Sequence, residues 1–171
     1  MRAIPLTVTA LAAALLLTAC NNSGSKSGDK NSSGCEIGGV SVQIGSASVA
    51  PKAGDTGEIP VSITNQSKPC TLDKFAGVTL DTGSAKADVP VLKGAKAQKL
   101  KLAKGDSASF TISYVRGAAG DKTSLDVKTV KITLPGTTAS RSFPWSYGPV
   151  AGQSGTTGPN ASVTAFQQVG D

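Results

Sequence analysis

Six lysines, Lys86, Lys93, Lys96, Lys99, Lys101 and Lys104, fall within nineteen residues of the sequence and meet one acidic side chain, Asp88. Ammonium groups at that density suit the long-range attraction of an anionic partner: a teichoic acid, a wall polysaccharide phosphate or an anionic lipid. The same lysines would also serve as the solvated edge of a hairpin, kept from pairing with other chains by their charge. Lys99 and Lys101 alternate with Leu100 and Leu102, so on a strand they share a face turned away from the core. Lys93, Lys96, Lys99, Lys101 and Lys104 are the candidate anionic-ligand face. Nucleic acid is not the expected ligand, because arginine is scarce and no aromatic side chains are interleaved with the lysines.

Phe143, Trp145 and Tyr147 alternate around Pro144 and form a second candidate, a shallow aromatic ligand site. Residues in this arrangement equally cover the open end of a sheet core, and Pro144 marks an edge strand or loop. Catalytic constellations are harder to assemble. The 171 residues include no histidine, which removes the usual proton shuttle, the centre of a Ser-His-Asp triad and the commonest metal ligand. A Ser-Lys pair needs no histidine, but no Ser-x-x-Lys stands beside a helix signal. Asp73, Asp81 and Asp88 could supply paired carboxylates, whereas Glu36 and Glu58 are the only glutamates in the chain. Methionine occurs once, at the start, and aromatics make up 4% of the residues, so copper, haem or base-stacking sites lack their side chains. No catalytic residue, metal or cofactor is expected.

The three cysteines divide by position. Met1-Arg2 gives a positive start, Ala3 to Leu16 is an apolar run, and Leu17-Thr18-Ala19-Cys20 follows, which is the layout of a secretory signal. The last four residues closely resemble the lipobox of bacterial lipoproteins. That resemblance implies cleavage before Cys20, a diacylglycerol thioether on its sulfur, acylation such as palmitate, and attachment to the outer face of the cytoplasmic membrane. An ordinary secretory signal cut after a small residue is the alternative. Two acyl chains hold stably where one would be reversible, at about 0.8 kcal/mol per buried methylene. Asn21 to Gly34 contains no apolar residue and reads as a flexible Ser/Gly/Asn linker with a typical reach of roughly 20 Å. Cys35 and Cys70 remain as an even pair, expected to form a disulfide in an exported protein. A two-thiol metal or redox site is the competing reading, but the spacing is far from C-x-x-C.

These side chains must be positioned by strands. Val40, Val42 and Ile44 alternate with polar residues, as do Ile59, Val61 and Ile63, and most clearly Ala108, Phe110, Ile112 and Tyr114. Val78 to Leu80, Val89 to Leu92, Gln98 to Leu102, Leu125 to Leu134 and Val163 to Val169 are further candidates. Between Val127 and Val130 the apolar phase slips by one, as at a bulge. Turn residues gather at Lys52 to Gly57, Asp81 to Ser84, Lys104 to Asp106 and Gly117 to Asp121, and no window carries a helical stripe. The pattern predicts an all-β protein, an immunoglobulin-like antiparallel β-sandwich of 7–9 strands, with a small closed barrel as runner-up. Ser146 to Asn160 reads as a long loop before a last strand, or as the start of a disordered tail.

Asn65-Gln66-Ser67-Lys68-Pro69-Cys70-Thr71-Leu72, followed by Phe75, Gly77 and Val78, resembles the signature of a domain family of unknown function in secreted actinobacterial lipoproteins. Lys104-Gly105-Asp106-Ser107-Ala108-Ser109-Phe110 is similar to that family's later turn into a strand. The resemblance covers about Cys35 to Leu134 and implies a β-sandwich ectodomain with no established activity. The late cysteine that members often carry is missing, so the pairing of Cys35 with Cys70 rests on their count. The organisation expected is a signal over 1–19, a lipidated cysteine and linker over 20–34, and a β-sandwich over 35–171. The expected role is a non-catalytic binding or interaction module at the cell envelope, meeting the membrane through its anchor and an anionic wall polymer or an envelope protein through its domain. A histidine-independent envelope hydrolase and a structural accessory of a membrane complex are the alternatives.

Overall fold

The computed structural model describes residues 34–153 and 158–170. The expected signal over 1–19, Cys20 and the expected linker as far as Ser33 lie outside the described residues. A single 3-10 turn, Ile37–Gly39, precedes the strands. In chain order these are β1 (Val40–Ile44), β2 (Thr56–Asn65), β3 (Cys70–Leu72), β4 (Gly77–Asp81), β5 (Lys86–Asp88), β6 (Leu100–Leu102) and β7 (Ser107–Val115). Six more follow: β8 (Ser124–Leu125), β9 (Thr129–Thr133), β10 (Ser140–Pro144), β11 (Val150–Ala151), β12 (Ala161–Val163) and β13 (Gln167–Val169).

The strands form two principal antiparallel sheets. One runs β1-β2-β7-β12, with β13 also on β7; the other runs β10-β9-β4-β5. Both are open, so the fold is a β-sandwich and not a closed barrel. Two small ribbons, β3–β6 and β8–β11, complete it. The longest pairing is β2 with β7, from Thr56↔Val115 to Thr64↔Ser107. It follows from alternation: Ile59, Val61 and Ile63 and their counterparts Ala108, Phe110, Ile112 and Tyr114 are all buried, while the residues between them are partly exposed. The other sheet contributes Val78, Leu80, Val130 and Ile132 to the same hydrophobic cluster, and Phe166 meets Phe110 edge to face at 5.5 Å.

Thirteen strands among the described residues exceed the expected 7–9, for two physical reasons. Some strands carry no apolar alternation because they bury little against the core: β10, at a sheet edge against β9, is largely exposed. Others divide where the chain changes partners. The phase slip near Val127 is such a point, since β8 pairs with β11 whereas β9 pairs with β4 and β10. Between them Val127 N donates to Leu125 O at 3.0 Å in a tight turn, and Lys128 N donates to Asp81 O at 2.9 Å.

Val89 to Leu92 is not the strand its composition suggests. Val89 N donates to Val78 O at 2.8 Å in one sheet; Leu92 N donates to Val163 O at 2.9 Å and Val163 N to Pro90 O at 3.0 Å in the other. Pro90 has no N–H to continue a ladder, and the segment spends itself crossing from β5 to the edge of β12. Likewise Ser146 to Asn160 is not a plain loop, because it contains β11.

Candidate functional site

The β3–β6 ribbon builds the most distinctive surface. Its register sets Cys70 opposite Leu102, Thr71 opposite Lys101 and Leu72 opposite Leu100. Leu72 and Leu102 are fully buried, so the alternate residues, Thr71 and Lys101, face outward. Lys99 and Lys104 flank β6, and Lys68 and Lys74 flank β3; all five ribbon lysines are exposed. Two acidic side chains lie beside them, Asp73 directly after β3 and Asp106 in the β6–β7 turn.

Three devices hold this ribbon on the core. A Cys35–Cys70 disulfide fixes its inner edge, with a Cα–Cα distance of 4.9 Å. Asn65, at the end of β2, points its amide inward: Nδ2 donates to the carbonyl oxygens of Lys68 at 3.0 Å, Leu102 at 3.0 Å and Ala103 at 3.2 Å. Its Oδ1 accepts from Ser67 N at 3.0 Å. The third device is the β6–β7 turn, where Gly105 takes φ +95°, Gly105 N donates to Asn65 O at 2.7 Å, and the Asp106 carboxylate accepts from Ala103 N at 2.9 Å.

The lysines read together along the chain are therefore distributed. Lys99, Lys101 and Lys104 belong to the ribbon. Lys93 sits in a turn closed by Ala95 N donating to Leu92 O at 2.9 Å, and Lys96 lies in the irregular link toward β6; both are exposed. Lys86 is on β5 opposite Asp81, at the edge of the other sheet. Lys68 and Lys74 are the residues that reading along the chain missed. The alternation of Cys70-Thr71-Leu72 against Leu100-Lys101-Leu102 is the signal that could have found them. Among the described residues the ion pairs are Lys131 with Asp81 at 3.0 Å and Lys128 with Asp126 at 2.5 Å, so none of the ribbon lysines is neutralised.

Beside Lys93 lies a groove of about 440 Å³ between the Pro90–Lys93 segment, β7 and β12. Val91 and Leu92 form its lip and are 43% and 45% exposed.

The aromatic trio is turned inward. Trp145 is 8% exposed, meets Tyr114 edge to face at 5.2 Å and Tyr147 at 5.0 Å, and donates its indole N–H to Gly148 O at 2.6 Å. Phe143 and Tyr147 are half-buried against the core. Tyr114 donates its hydroxyl to Tyr147 O at 3.0 Å. Burial, with a smaller contribution from the neighbouring Tyr114, pushes the Tyr147 phenol upward. The rings close one end of the core, which leaves the indole N–H and the Tyr114 hydroxyl already committed.

Little in the structure resembles acid–base machinery. The Asp81 carboxyl is held below its ordinary range by the Gly83 N–H that donates to it and then by Lys131; Asp81 in turn raises the Lys131 ammonium. A lysine acting as a general base needs the opposite shift. Asp121 is lowered by the backbone N–H of Thr123 and by its hydroxyl, a local Asx turn. Among the described residues no three Cys, Asp or Glu side chains gather as a metal would require.

Fold and surface together define an all-β sandwich domain that presents a disulfide-pinned basic ribbon. The chain belongs to the family known as domain of unknown function DUF4232, whose sequence profile matches residues 35–167. No protein of curated function matches it.

Proposed function

We propose that the chain is a membrane-anchored, extracytoplasmic and non-catalytic binding module of the cell envelope, which engages an anionic ligand through its exposed lysines. The carrying observation is the set of exposed lysines, without an ion pair among the described residues, on a ribbon whose backbone is fixed by a disulfide and by Asn65. A rigid scaffold with mobile, charged tips attracts polyanions without a shaped pocket. The lipobox-like Leu17-Thr18-Ala19-Cys20 supports the anchor and the location, and the disulfide suits an oxidising compartment. The anchor is tested by labelling cells with a fatty-acid analogue: label is expected on the native chain and absent from Cys20→Ser, and equal labelling would refute it. Binding is tested with wall teichoic acid at low and moderate salt, where affinity should fall as salt rises.

An envelope protein as ligand is the second reading, favoured by the exposed Val91 and Leu92 at the groove. Leu92→Asp would abolish such an interaction and leave polyanion binding intact.

A further inference from the structure

We propose that the basic β3–β6 ribbon, with Lys101 on its outer face and the exposed Lys68, Lys74, Lys99 and Lys104 in the segments that flank its two strands, seats on anionic phospholipid headgroups of the same membrane that holds the tether. This rests on the reading of Cys20 as the anchor. The argument is where the chain enters the domain. Gly34 makes a parallel bridge with Thr71, Cys35 N donates to Thr71 O at 3.0 Å, and Cys35 is bonded to Cys70. The first described residue therefore runs alongside β3, on the basic ribbon itself. Gly34 lies fourteen positions after Cys20 in the sequence, so little chain separates the proposed anchor from the ribbon. Of all surfaces on the domain, the ribbon is joined to the membrane by the shortest path, and its local concentration at the headgroups is correspondingly high.

The chemistry of the face agrees. Leu72 and Leu102 are buried and Leu100 is half-buried, so the ribbon offers no large apolar side chain for insertion. Lysines are strongly hydrated point charges that attract a plane of phosphates without demanding bidentate geometry. Attraction of this kind is electrostatic, worth about fivefold in affinity per lysine, and falls with salt. Bound so, the domain would lie with the ribbon against the lipid and the 440 Å³ groove beside Val91 and Leu92 free for another partner.

The test uses the chain from residue 20 onward carrying Cys20→Ser, so that no acyl group holds it; among the described residues every buried core residue lies between Cys35 and Phe166, within that piece. Sedimentation is measured with phosphatidylcholine vesicles and with vesicles about a third phosphatidylglycerol. The expected result is binding to the anionic vesicles alone, lost on raising salt. The Lys68→Gln, Lys99→Gln, Lys101→Gln triple variant should weaken it by on the order of a hundredfold, while Lys93→Gln with Lys96→Gln changes it much less. These side chains are exposed, so circular dichroism should be unchanged. Equal binding to neutral vesicles, or an unaffected triple variant, would overturn the proposal. Soluble teichoic acid forms the second arm: a chain that binds it but not anionic vesicles disproves the lipid assignment and leaves the anionic-ligand function standing. Binding to neither sinks both.

Discussion

Asn65 Nδ2 donates to the carbonyl oxygen of Leu102 at 3.0 Å, joining the end of β2 to the end of β6 across 37 residues of sequence. Asn65 is the buried polar residue of the described core, and its two amide hydrogens are shared among three carbonyls. The bond to the Leu102 carbonyl is buried, so that acceptor depends on the amide, while those to Lys68 and Ala103 are part-buried. Asn65→Ala should cost about 3 kcal/mol in urea unfolding, from unsatisfied carbonyls plus a small cavity. Asn65→Asp should be worse, because a carboxylate places charge where only donors fit. A loss under about 0.5 kcal/mol would mean that water replaces the amide.

The Cys35–Cys70 bond closes a loop of sequence separation 35. In the chain-entropy account such a closure contributes about 3–4 kcal/mol. Reduction should lower urea stability by that amount and raise the intact mass by two hydrogens. Because Gly34 pairs with Thr71 beside the bond, reduction should also speed hydrogen exchange at Cys35 N, whose partner is Thr71 O. Exchange unchanged by reduction would show that the backbone pairing of Gly34 and Cys35 with Thr71 holds the entry strand without the disulfide.

How far the sequence carried the fold depended on how much of each strand faces the core: even the edge strand β1 shows its alternation, because Val40 and Val42 are buried. Strands of the double-covered centre, β2, β4, β7 and β9, announced themselves by alternation because each presents one face to the common core. β10 did not, since Ser140, Arg141 and Ser142 are exposed at an edge. Val89 to Leu92 looked like a strand because apolar composition reports burial without saying which sheet supplies it; Val89 is buried, Val91 and Leu92 are not. The site was half legible. Lys99, Lys101 and Lys104 are near one another in sequence, whereas Lys68 and Lys74 flank a strand that only the pairing of β3 with β6 brings beside them. Trp145 and Tyr147 lie on the side of the closed core end because Tyr114, on a distant strand, packs on the indole.

Gly57 is needed for that aromatic end. It lies in β2 opposite Tyr114 of β7, and a Cβ there would overlap the Tyr114 ring. The ring cannot swing away without breaking the Tyr114 hydroxyl's bond to Tyr147 O. Gly57→Ala should therefore cost about 2–3 kcal/mol and perturb the near-ultraviolet signal of Trp145. Gly38→Ala, with nothing within 4 Å of the added carbon, is the control and should be close to neutral. Tyr114→Phe combined with Gly57→Ala should be no better than Gly57→Ala alone, because the overlap is with the ring as well as the hydroxyl.

Stability against pH follows from which groups can titrate. The chain has no histidine and Cys35 and Cys70 are bridged, so the domain has no side chain that ordinarily titrates between about pH 5 and 8. Denaturant midpoints should be level across that window. On the acid side Asp81 is the group to follow: its folded-state pKa lies below the ordinary 3.8, through the Gly83 N–H and Lys131. As pH falls the unfolded chain takes up the proton first, so the contribution of Asp81 is present above 3.8 and disappears as pH drops through the folded value. Asp121 is lowered by its bonds to Thr123 and acts with the same sign. Lys131 is raised from 10.5, so its share persists at neutral pH and is lost only as alkali carries pH above that value. Asp81→Asn should thus remove part of the acid-limb decline and, by freeing Lys131, part of the alkaline one. A variant that keeps both limbs at native steepness would show that the Asp81–Lys131 pair is too well solvated to couple folding to protons.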